Sequence, residues 1–310
     1  MDLAADADGA PVDPNITVNW NADSEVPLLL SFPHSGATYP DDFGYDASLP
    51  FNVVDYPSDK YVDELFDGGA ALGLGSIRAN FPRAYIDVNR HQHDIDGTML
   101  EAPERWYGRM QPTALRNGTT LFWSKAKEID LYDRKLSHAE AKRRLATCHV
   151  VYHQALTTMI ETTRRKHGSV VVLDCHSMMR FDTTAQGSGE RPEVDIGTRY
   201  GESCDPDLAV RLVECFETRG YQVGLNRRFA GGEITLRYGW PEIDQHLLQI
   251  ELRRDLYMDE ETRLKNDRFD AVRQDCSDIL SEFRQFVQER QQSRHNTRDR
   301  EHMTMENANG

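Results

Sequence analysis

The sequence predicts an α/β fold in which one sheet is covered by helices on both faces. Apolar runs that are typical of buried strands alternate with amphipathic runs over most of the 310 residues. In the clearest case, residues 170–173 read Val-Val-Val-Leu and follow a predicted helix that ends at Gly168. A strand that is apolar on both sides is typical of a sheet buried between two helical layers.

The period of the apolar residues predicts the individual elements in chain order. The predicted strands are 27–32, 76–80, 84–88, 169–175, 221–225 and 246–252, and the predicted helices are 59–72, 138–167, 205–219 and 260–289. The helix at 138 has the clearest start, because Ser137 and Glu140 have the spacing of a capping box. Gly168 suits the end of the same helix.

The two ends of the chain differ in composition from the part between them. Residues 1–14 and 291–310 are predicted to be disordered, which leaves a single domain over residues 15–290. Within it, residues 91–136 form a long, polar insertion that contains Trp106, Tyr107 and Trp123. Long connections of this kind are usually functional lids or disordered insertions, and the aromatic residues favour a packed lid.

Charge and composition exclude several classes of function. Lys and Arg number 36 and Asp and Glu 51, so the net charge of −15 disfavours nucleic acid as a partner. The chain lacks an apolar run of about 18 residues, and its acidic start lacks the features of a signal peptide. Five cysteines without a C-x-x-C pair fit free thiols in a reducing compartment. We therefore expect a cytoplasmic protein without a membrane partner, and the sequence predicts no particular oligomeric state.

Two predicted strands each end at a His-Ser pair, which contains His34 in one case and His176 in the other. Ligands of open α/β sheets bind at the carboxyl ends of strands, and neutral imidazole is a common zinc ligand. Either histidine alone would more often be structural, but two at equivalent strand ends suggest a shared metal site. Asp55, Asp59 or Asp63 could supply a third ligand, although Ser58 or Asp59 could simply cap the following helix.

A rival metal site consists of His91 and His93 with Asp94, since an H-x-H pattern on a strand can hold a metal. Such a polar run is more often a solvated loop. A barrel amidohydrolase built on these histidines would need eight strand–helix units, which the sequence does not contain.

Residues 82–90 carry three polar side chains that could bind an anionic substrate, namely Arg83, Asn89 and Arg90. Guanidinium groups suit bidentate recognition of carboxylates, although either arginine could instead pair with Asp87. On so acidic a chain, an anionic substrate would need a local positive pocket of this kind.

Glu251 lies inside an apolar predicted strand, where an unpaired carboxylate is costly. Burial would raise its pKa, as a general base near neutral pH requires. An ion pair with Arg253 or Arg254 is the alternative explanation. Upstream, residues 231–232 are paired glycines that permit a tight turn or a close approach to a ligand, and Arg237 follows them.

Several of these stretches recur in a consistent order between about residue 27 and about residue 285. They read PHSG at 33–36, SDKYVDELF at 58–66, PRAYIDVNR at 82–90, YHQAL at 152–156, LDCHS at 173–177, DIGTRYGESC at 195–204, and RRFAGGEITLRYG with LLQIEL within 227–252. As an ordered set, they resemble the N-formylglutamate amidohydrolase family, which is related to zinc carboxypeptidases and aspartoacylases.

The resemblance implies a three-layer α/β/α sandwich with a mixed central sheet. It also implies one Zn²⁺ per chain, held by His34, Asp59 and His176. Related zinc enzymes often take a ligand three residues after the first histidine, but that position here is Ala37. The carboxylate ligand must therefore come from elsewhere, and Asp59 matches the family pattern.

The same resemblance implies a role for the other candidate residues. Glu251 would be the general base and Arg83 would stabilise the oxyanion, while Asn89, Arg90 and Arg237 would bind substrate carboxylates. The implied reaction is the hydrolysis of N-formyl-L-glutamate to formate and L-glutamate, a step of histidine degradation.

Two alternatives remain beside this reading. Lys60-Tyr61 stand where the family commonly has Trp-His, and Met178-Met179 where it has Ile-Arg. The chain could therefore act on another N-acyl amino acid or small amide. It could also be a relative that binds a metal or ligand without catalysis.

Overall fold

The centre of the protein is a mixed sheet of seven strands. The structure is a computed structural model and describes residues 4–5, 11–20, 24–106, 109–112, 118–181 and 189–308. The strands are β1 Ala4–Ala5, β2 Pro11–Val12, β3 Ile16–Asn19, β4 Leu28–Phe32, β5 Gly75–Ala79, β6 Lys125–Ala126, β7 Ile129–Asp130, β8 Val170–Met178, β9 Val194–Gly197, β10 Val223–Leu225 and β11 Gln245–Arg253. The helices are α1 Phe51–Val54, α2 Val62–Leu65, α3 Gly68–Ala71, α4 His138–Arg144, α5 Val150–His167, α6 Pro206–Glu217, α7 Glu233–Tyr238 and α8 Phe269–Ala308. A π-helical turn, Leu145–His149, joins α4 to α5.

The order of the sheet is β10-β9-β11-β8-β4-β5-β3. The four strands β11, β8, β4 and β5 run parallel to one another, whereas β9 is antiparallel to β11 and β3 is antiparallel to β5. β1 pairs with β2, and β6 pairs with β7, as separate two-residue ladders.

Helices cover both faces of the sheet, because the side chains of the central strands alternate between two cores. Val171 and Leu173 of β8 pack in one core with residues of α6 and α8, including Leu212 and Leu280. Val170 and Val172 pack in the other core with residues of α5 and the 91–136 insertion. This is the predicted three-layer α/β/α sandwich with a mixed sheet.

Strands β4, β8 and β11, which carry or precede His34, His176 and Glu251, are close to their predicted bounds. Ser137 accepts a hydrogen bond from the amide of Glu140 (3.2 Å), and the helix that follows ends at Gly168, whose φ is +74°. The five cysteines are buried and form no disulfide.

Other elements differ from the prediction for identifiable reasons. Residues 84–88 are a turn, because their backbone bonds go to loop positions, such as Asp87 N to Leu121 O (2.8 Å). The predicted helix 59–72 consists of the short α2 and α3, which a bend at 66–67 separates. Strands β3 and β9 and helices α1 and α7 were not predicted.

The two predicted disordered ends contain regular structure where they are described. Helix α8 continues through residues 291–308, and the β1–β2 ladder lies within residues 1–14. In the 91–136 insertion, Leu100, Leu121 and Phe122 are buried in the second core, while Tyr107 lies outside the described residues.

A fully buried arginine joins the insertion to the rest of this layer. Arg144 donates hydrogen bonds to the carbonyl oxygens of Phe43 (2.8 Å) and Tyr85 (2.9 Å), to the hydroxyl of Tyr132 (3.0 Å) and to a carboxylate oxygen of Glu140 (2.5 Å). One guanidinium therefore connects the loops before and after β5 to helix α4.

Replacing Arg144 by Met should lower the free energy of unfolding by roughly 3–5 kcal/mol, because the buried Glu140 carboxylate and two carbonyl groups lose a partner. The neighbouring Arg143 forms a half-exposed ion pair with Asp42, so Arg143→Met should cost about 0–1 kcal/mol. Urea denaturation measures both, and equal losses would contradict the structural role of Arg144.

Candidate active site

The parallel pairing of the central strands brings the two predicted histidines together. Ser31 of β4 lies opposite Asp174 of β8, so both strands point their carboxyl ends to the same edge of the sheet. His34 and His176 follow at that edge, both buried, with their Nδ1 atoms 3.0 Å apart.

The Nε2 atom of each histidine is bound by a buried carboxylate. His34 Nε2 lies 2.7 Å from Asp87 Oδ1, and His176 Nε2 lies 2.8 Å from Asp174 Oδ2. An ionised carboxylate can only accept a hydrogen bond, so both Nε2 atoms carry the proton. In the neutral rings, each Nδ1 atom therefore presents a lone pair to the other.

Asp59 completes this arrangement with a carboxylate oxygen. Its Oδ2 atom lies 3.1 Å from Nδ1 of His34 and 3.2 Å from Nδ1 of His176. Among the described His, Cys, Asp and Glu residues, these three form the one group that could hold a metal ion. The structure thus selects Asp59 from the three carboxylates that the sequence left open.

Asp59 does not cap a helix, because α2 begins only at Val62 and Tyr61 precedes it with a φ of +69°. Its second oxygen, Oδ1, accepts hydrogen bonds from Ser177 Oγ (3.0 Å) and Arg254 Nη2 (3.1 Å). Burial alone would raise the pKa of Asp59, but the nearby positive charge of Arg83 holds this pKa well below its ordinary value. The carboxylate is therefore charged and oriented.

The other two candidate carboxylates have different partners. Asp55 accepts hydrogen bonds from Tyr39 (2.8 Å) and Arg263 (3.2 Å), and Asp63 accepts one from Arg78 (2.6 Å). His91 and His93, the rival pair, contact each other outside this cluster, with ring centroids 5.0 Å apart.

Glu251 lies beside His176, since the two residues are paired across β11 and β8. It is buried and accepts a hydrogen bond from Gln249 Nε2 at 2.9 Å. Burial raises its pKa to about 7. Glu251 forms neither of the alternative ion pairs, because Arg254 binds Asp59 and Arg253 binds Asp255.

Several of these groups line one cavity of about 300 Å³, within the size range of small-molecule sites. His34, His176 and Glu251 lie on its wall with Asn89, and four arginines also line it, namely Arg83, Arg90, Arg191 and Arg254. On a chain whose net charge is −15, this is a local concentration of positive charge.

Arg83 lies between the histidine cluster and the insertion. It donates to Asp87 Oδ2 at 2.9 Å, approaches Asp59 Oδ2 to 4.0 Å and stacks on the ring of Trp123, with 4.7 Å to the centroid. Trp123 also donates to Asp87 Oδ2 at 3.0 Å, so the insertion contributes directly to the cavity wall.

Asn89 and Arg90 face the cavity from the turn that follows Asp87. Arg90 donates to the carbonyl oxygens of Thr119 (2.8 Å) and Asn89 (3.0 Å) through Nε and Nη1, and no described residue accepts a bond from its Nη2. By contrast, Arg237 is exposed on α7 and is not among the described residues that line this cavity.

The paired glycines allow a close approach to Asn89. A Cβ atom on Gly232 would lie 2.4 Å from Asn89 Nδ2, and Gly231 has a φ of +134°. The amide of Ile234 donates to Asn89 Oδ1 at 2.8 Å. The glycines therefore let the start of α7 reach the Asn89 side chain.

Four polar residues of the site were missed by the sequence analysis as site residues. Asp174 and Gln249 each lie two positions before a predicted residue in the same strand, and alternate residues of a strand share a face. That spacing could have indicated both. Asp87 and Arg254 had been considered only as ion-pair partners of other residues.

The fold is a three-layer α/β/α sandwich, and a histidine–carboxylate cluster and a buried glutamate lie at the carboxyl edge of its parallel strands. This combination is that of a hydrolase. The comparisons with known proteins make this specific. The sequence profile of the N-formylglutamate amidohydrolase family matches residues 26–258, and the chain belongs to that family.

Curated and solved relatives agree with this assignment. The chain is 31% identical over 240 residues to the N-formylglutamate deformylase of Pseudomonas aeruginosa, which covers 76% of this chain and 84% of that protein. It is 33% identical over 237 residues to the enzyme of Pseudomonas putida, with 76% and 83% covered. The crystal structure of N-formylglutamate amidohydrolase from Ralstonia eutropha superposes with a TM-score of 0.82 at 32% identity, over 89% of this chain and 99% of that one.

None of the helices in the described part of the chain has the length and apolarity that a membrane span requires.

Replacing Asp174 by Asn should lower the affinity of the cluster for a divalent metal roughly 10- to 100-fold, because the partner that orients His176 loses its charge. Asp255→Asn removes a carboxylate outside the cluster and should leave the affinity unchanged. Competition with a chromophoric chelator measures both, and an unaltered affinity in Asp174→Asn would contradict this role.

Proposed function

We propose that this chain hydrolyses the formyl amide of N-formyl-L-glutamate to formate and L-glutamate, with a Zn²⁺ ion held by His34, Asp59 and His176. The observation that carries the proposal is the convergence of three electron-pair donors within 3.2 Å of one another. The two histidines among them line a cavity that Glu251 and several arginines also line.

The donor set fits zinc. Two nitrogen ligands at about 2.0–2.1 Å from a tetrahedral ion lie roughly 3.3–3.4 Å apart, close to the 3.0–3.2 Å separations of these atoms. Two histidines and one carboxylate are a common ligand set of catalytic zinc and leave a further position open. When bound, the ion would supply Lewis acidity and lower the pKa of water.

Glu251 would serve as the general base that takes a proton from the attacking water and returns it to the leaving amine. A pKa of about 7 places the carboxyl group where it can both accept and donate a proton near neutral pH. Gln249 fixes one of its oxygens, which leaves the other for the reaction.

Arginines would bind the negative charges of the substrate and of the transition state. Arg83, which lies beside Asp59 and stacks on Trp123, would stabilise the developing oxyanion. Arg90 and Asn89 would bind a carboxylate, and the uncommitted Nη2 of Arg90 supports this role. Arg237 would reach the substrate only if its exposed side chain turned toward the cavity.

The choice of substrate is supported by the relatives, which carry the name N-formylglutamate deformylase. N-Formyl-L-glutamate has two carboxylates and one small acyl group, which suits a cavity of about 300 Å³ with four arginines on its wall.

The first experiment is to measure formate release from N-formyl-L-glutamate by zinc-loaded protein, with a chelator-treated sample and a panel of N-acyl amino acids beside it. Release that chelation abolishes and zinc restores would support the reaction and its metal dependence. Hydrolysis of a different panel member would move the substrate assignment, and stoichiometric zinc without any hydrolysis would favour the non-catalytic alternative.

Replacing Glu251 by Gln should lower kcat roughly 100- to 10,000-fold while zinc stays bound, because the variant lacks a base. In the unaltered enzyme, the base acts only when ionised, so kcat/KM should fall about tenfold per pH unit below about 7 and level off above it. A pH–rate profile tests both statements, and near-normal turnover by the variant would remove Glu251 as the base.

Replacing Arg90 by Ala should raise KM by roughly 30-fold, which corresponds to about 2 kcal/mol for one lost charge-assisted contact. The zinc content should be unchanged. Arg105→Ala, at an exposed position away from the cavity, is the matched control. Unchanged KM in Arg90→Ala would contradict the carboxylate role.

A further inference from the structure

The turn that carries Asn89 and Arg90 has no regular secondary structure to support it. Residues 87–91 leave the sheet region and enter the insertion without belonging to a helix or strand. Asp87 accepts a hydrogen bond from the amide of Asn89 (2.8 Å), and its backbone carbonyl accepts one from the amide of Arg90 (3.1 Å). These local bonds shape the turn but do not anchor it to the body of the protein.

Two histidines of the helical layer bind the backbone carbonyls on either side of Asn89. His153 Nε2 lies 2.9 Å from the carbonyl oxygen of Val88, and His149 Nε2 lies 2.9 Å from that of Arg90. The two imidazoles are four residues apart, on consecutive helical turns, and their ring centroids are 4.4 Å apart. Both rings are buried.

The protonation of these rings suits this contact. A carbonyl only accepts hydrogen bonds, so each Nε2 atom must carry a proton. Burial lowers the pKa of His149 to about 4 and holds that of His153 well below its ordinary value. Both rings are thus neutral near pH 7, with a single donor that points at the turn.

The same network reaches the side chain of Asn89 from a second element. Nδ1 of His153 lies 3.0 Å from the hydroxyl of Tyr238, the last residue of α7. The first turn of α7 donates to Asn89 through the amide of Ile234. His153 therefore contacts both the backbone next to Asn89 and helix α7, whose first turn binds the Asn89 side chain.

A π-helical turn immediately precedes α5 and ends at His149. Such turns are rare and are frequent at functional sites, because the extra residue changes the direction of the side chains that follow. The π-helical turn therefore lies where it can direct the side chains of His149 and His153 toward the Asn89–Arg90 turn.

We propose that His149 and His153 are positioning residues, which hold the Asn89–Arg90 turn in the conformation that binds the substrate carboxylate. The inference rests on the proposed function, because it assigns Asn89 and Arg90 to substrate binding. Neither histidine lines the cavity among the described residues, so each acts through the turn.

The test compares His153→Leu and His149→Leu with His153→Gln and His149→Gln in the zinc-loaded enzyme. The leucine variants remove the donor, and a glutamine amide can replace Nε2–H. We expect each leucine variant to raise KM for N-formyl-L-glutamate about tenfold with kcat within about threefold, and each glutamine variant to recover most of the loss. Amide hydrogen exchange in residues 87–94 should become faster in the leucine variants.

His167→Leu is the matched control, because His167 Nε2 lies at the same 2.9 Å from a carbonyl oxygen, that of Ser24, at the end of the same helix. It should leave KM unchanged. KM values of the two leucine variants within twofold of the unaltered enzyme would overturn the proposal, as would equal losses of kcat and melting temperature in all three leucine variants.

Failure of the proposed function would be recognised separately, as the absence of hydrolysis by the unaltered protein on every member of the panel. In that case, amide hydrogen exchange alone tests whether the two histidines anchor the turn. Faster exchange confined to residues 87–94 would support the anchoring role, and unchanged exchange there would overturn it.

Discussion

Two imidazole nitrogens and one carboxylate oxygen lie within 3.2 Å of one another in a buried site, and much of the surrounding chain is organised to maintain that contact. Three electron-pair donors at this distance repel one another unless a cation lies among them. Each ring is held in place by a hydrogen bond from its Nε2 atom to a carboxylate, His34 by Asp87 and His176 by Asp174. Asp59 is fixed in turn by Arg254, so none of the three can turn away without breaking a buried charged hydrogen bond.

The same edge of the sheet combines opposite electrostatic requirements. The carboxylates around the histidines create a negative centre that favours a metal cation, whereas arginines such as Arg83 and Arg90 provide positive charge for an anionic ligand. Arg83 lies where these two regions meet and forms an ion pair with Asp87 at 2.9 Å. The arrangement gives a strongly acidic chain a cavity that an anion can enter.

Irregular segments, rather than strands, carry many of the groups around the cavity, and side chains fix those segments. Arg263 binds the backbone of the turn before Asp59 through the carbonyl oxygens of Asp55 and Ser58 (3.0 and 2.9 Å). Asp195 accepts hydrogen bonds from three consecutive backbone amides of the loop before the paired glycines. Loops held in this way keep binding groups in place at the cost of burying charged side chains.

The sequence by itself determined the sandwich fold, the two strand-end histidines and the buried glutamate, because continuous apolar runs and polar residues at strand ends are local signals. It could not choose among Asp55, Asp59 and Asp63, since their different partners are distant in the chain. The tertiary structure made that choice through the contacts of Asp59 with His34 and His176. It also turned residues 84–88 into a loop, because apolar residues packed in a core need not form a strand. Long-range packing thus decided which of several chemically suitable side chains face one another.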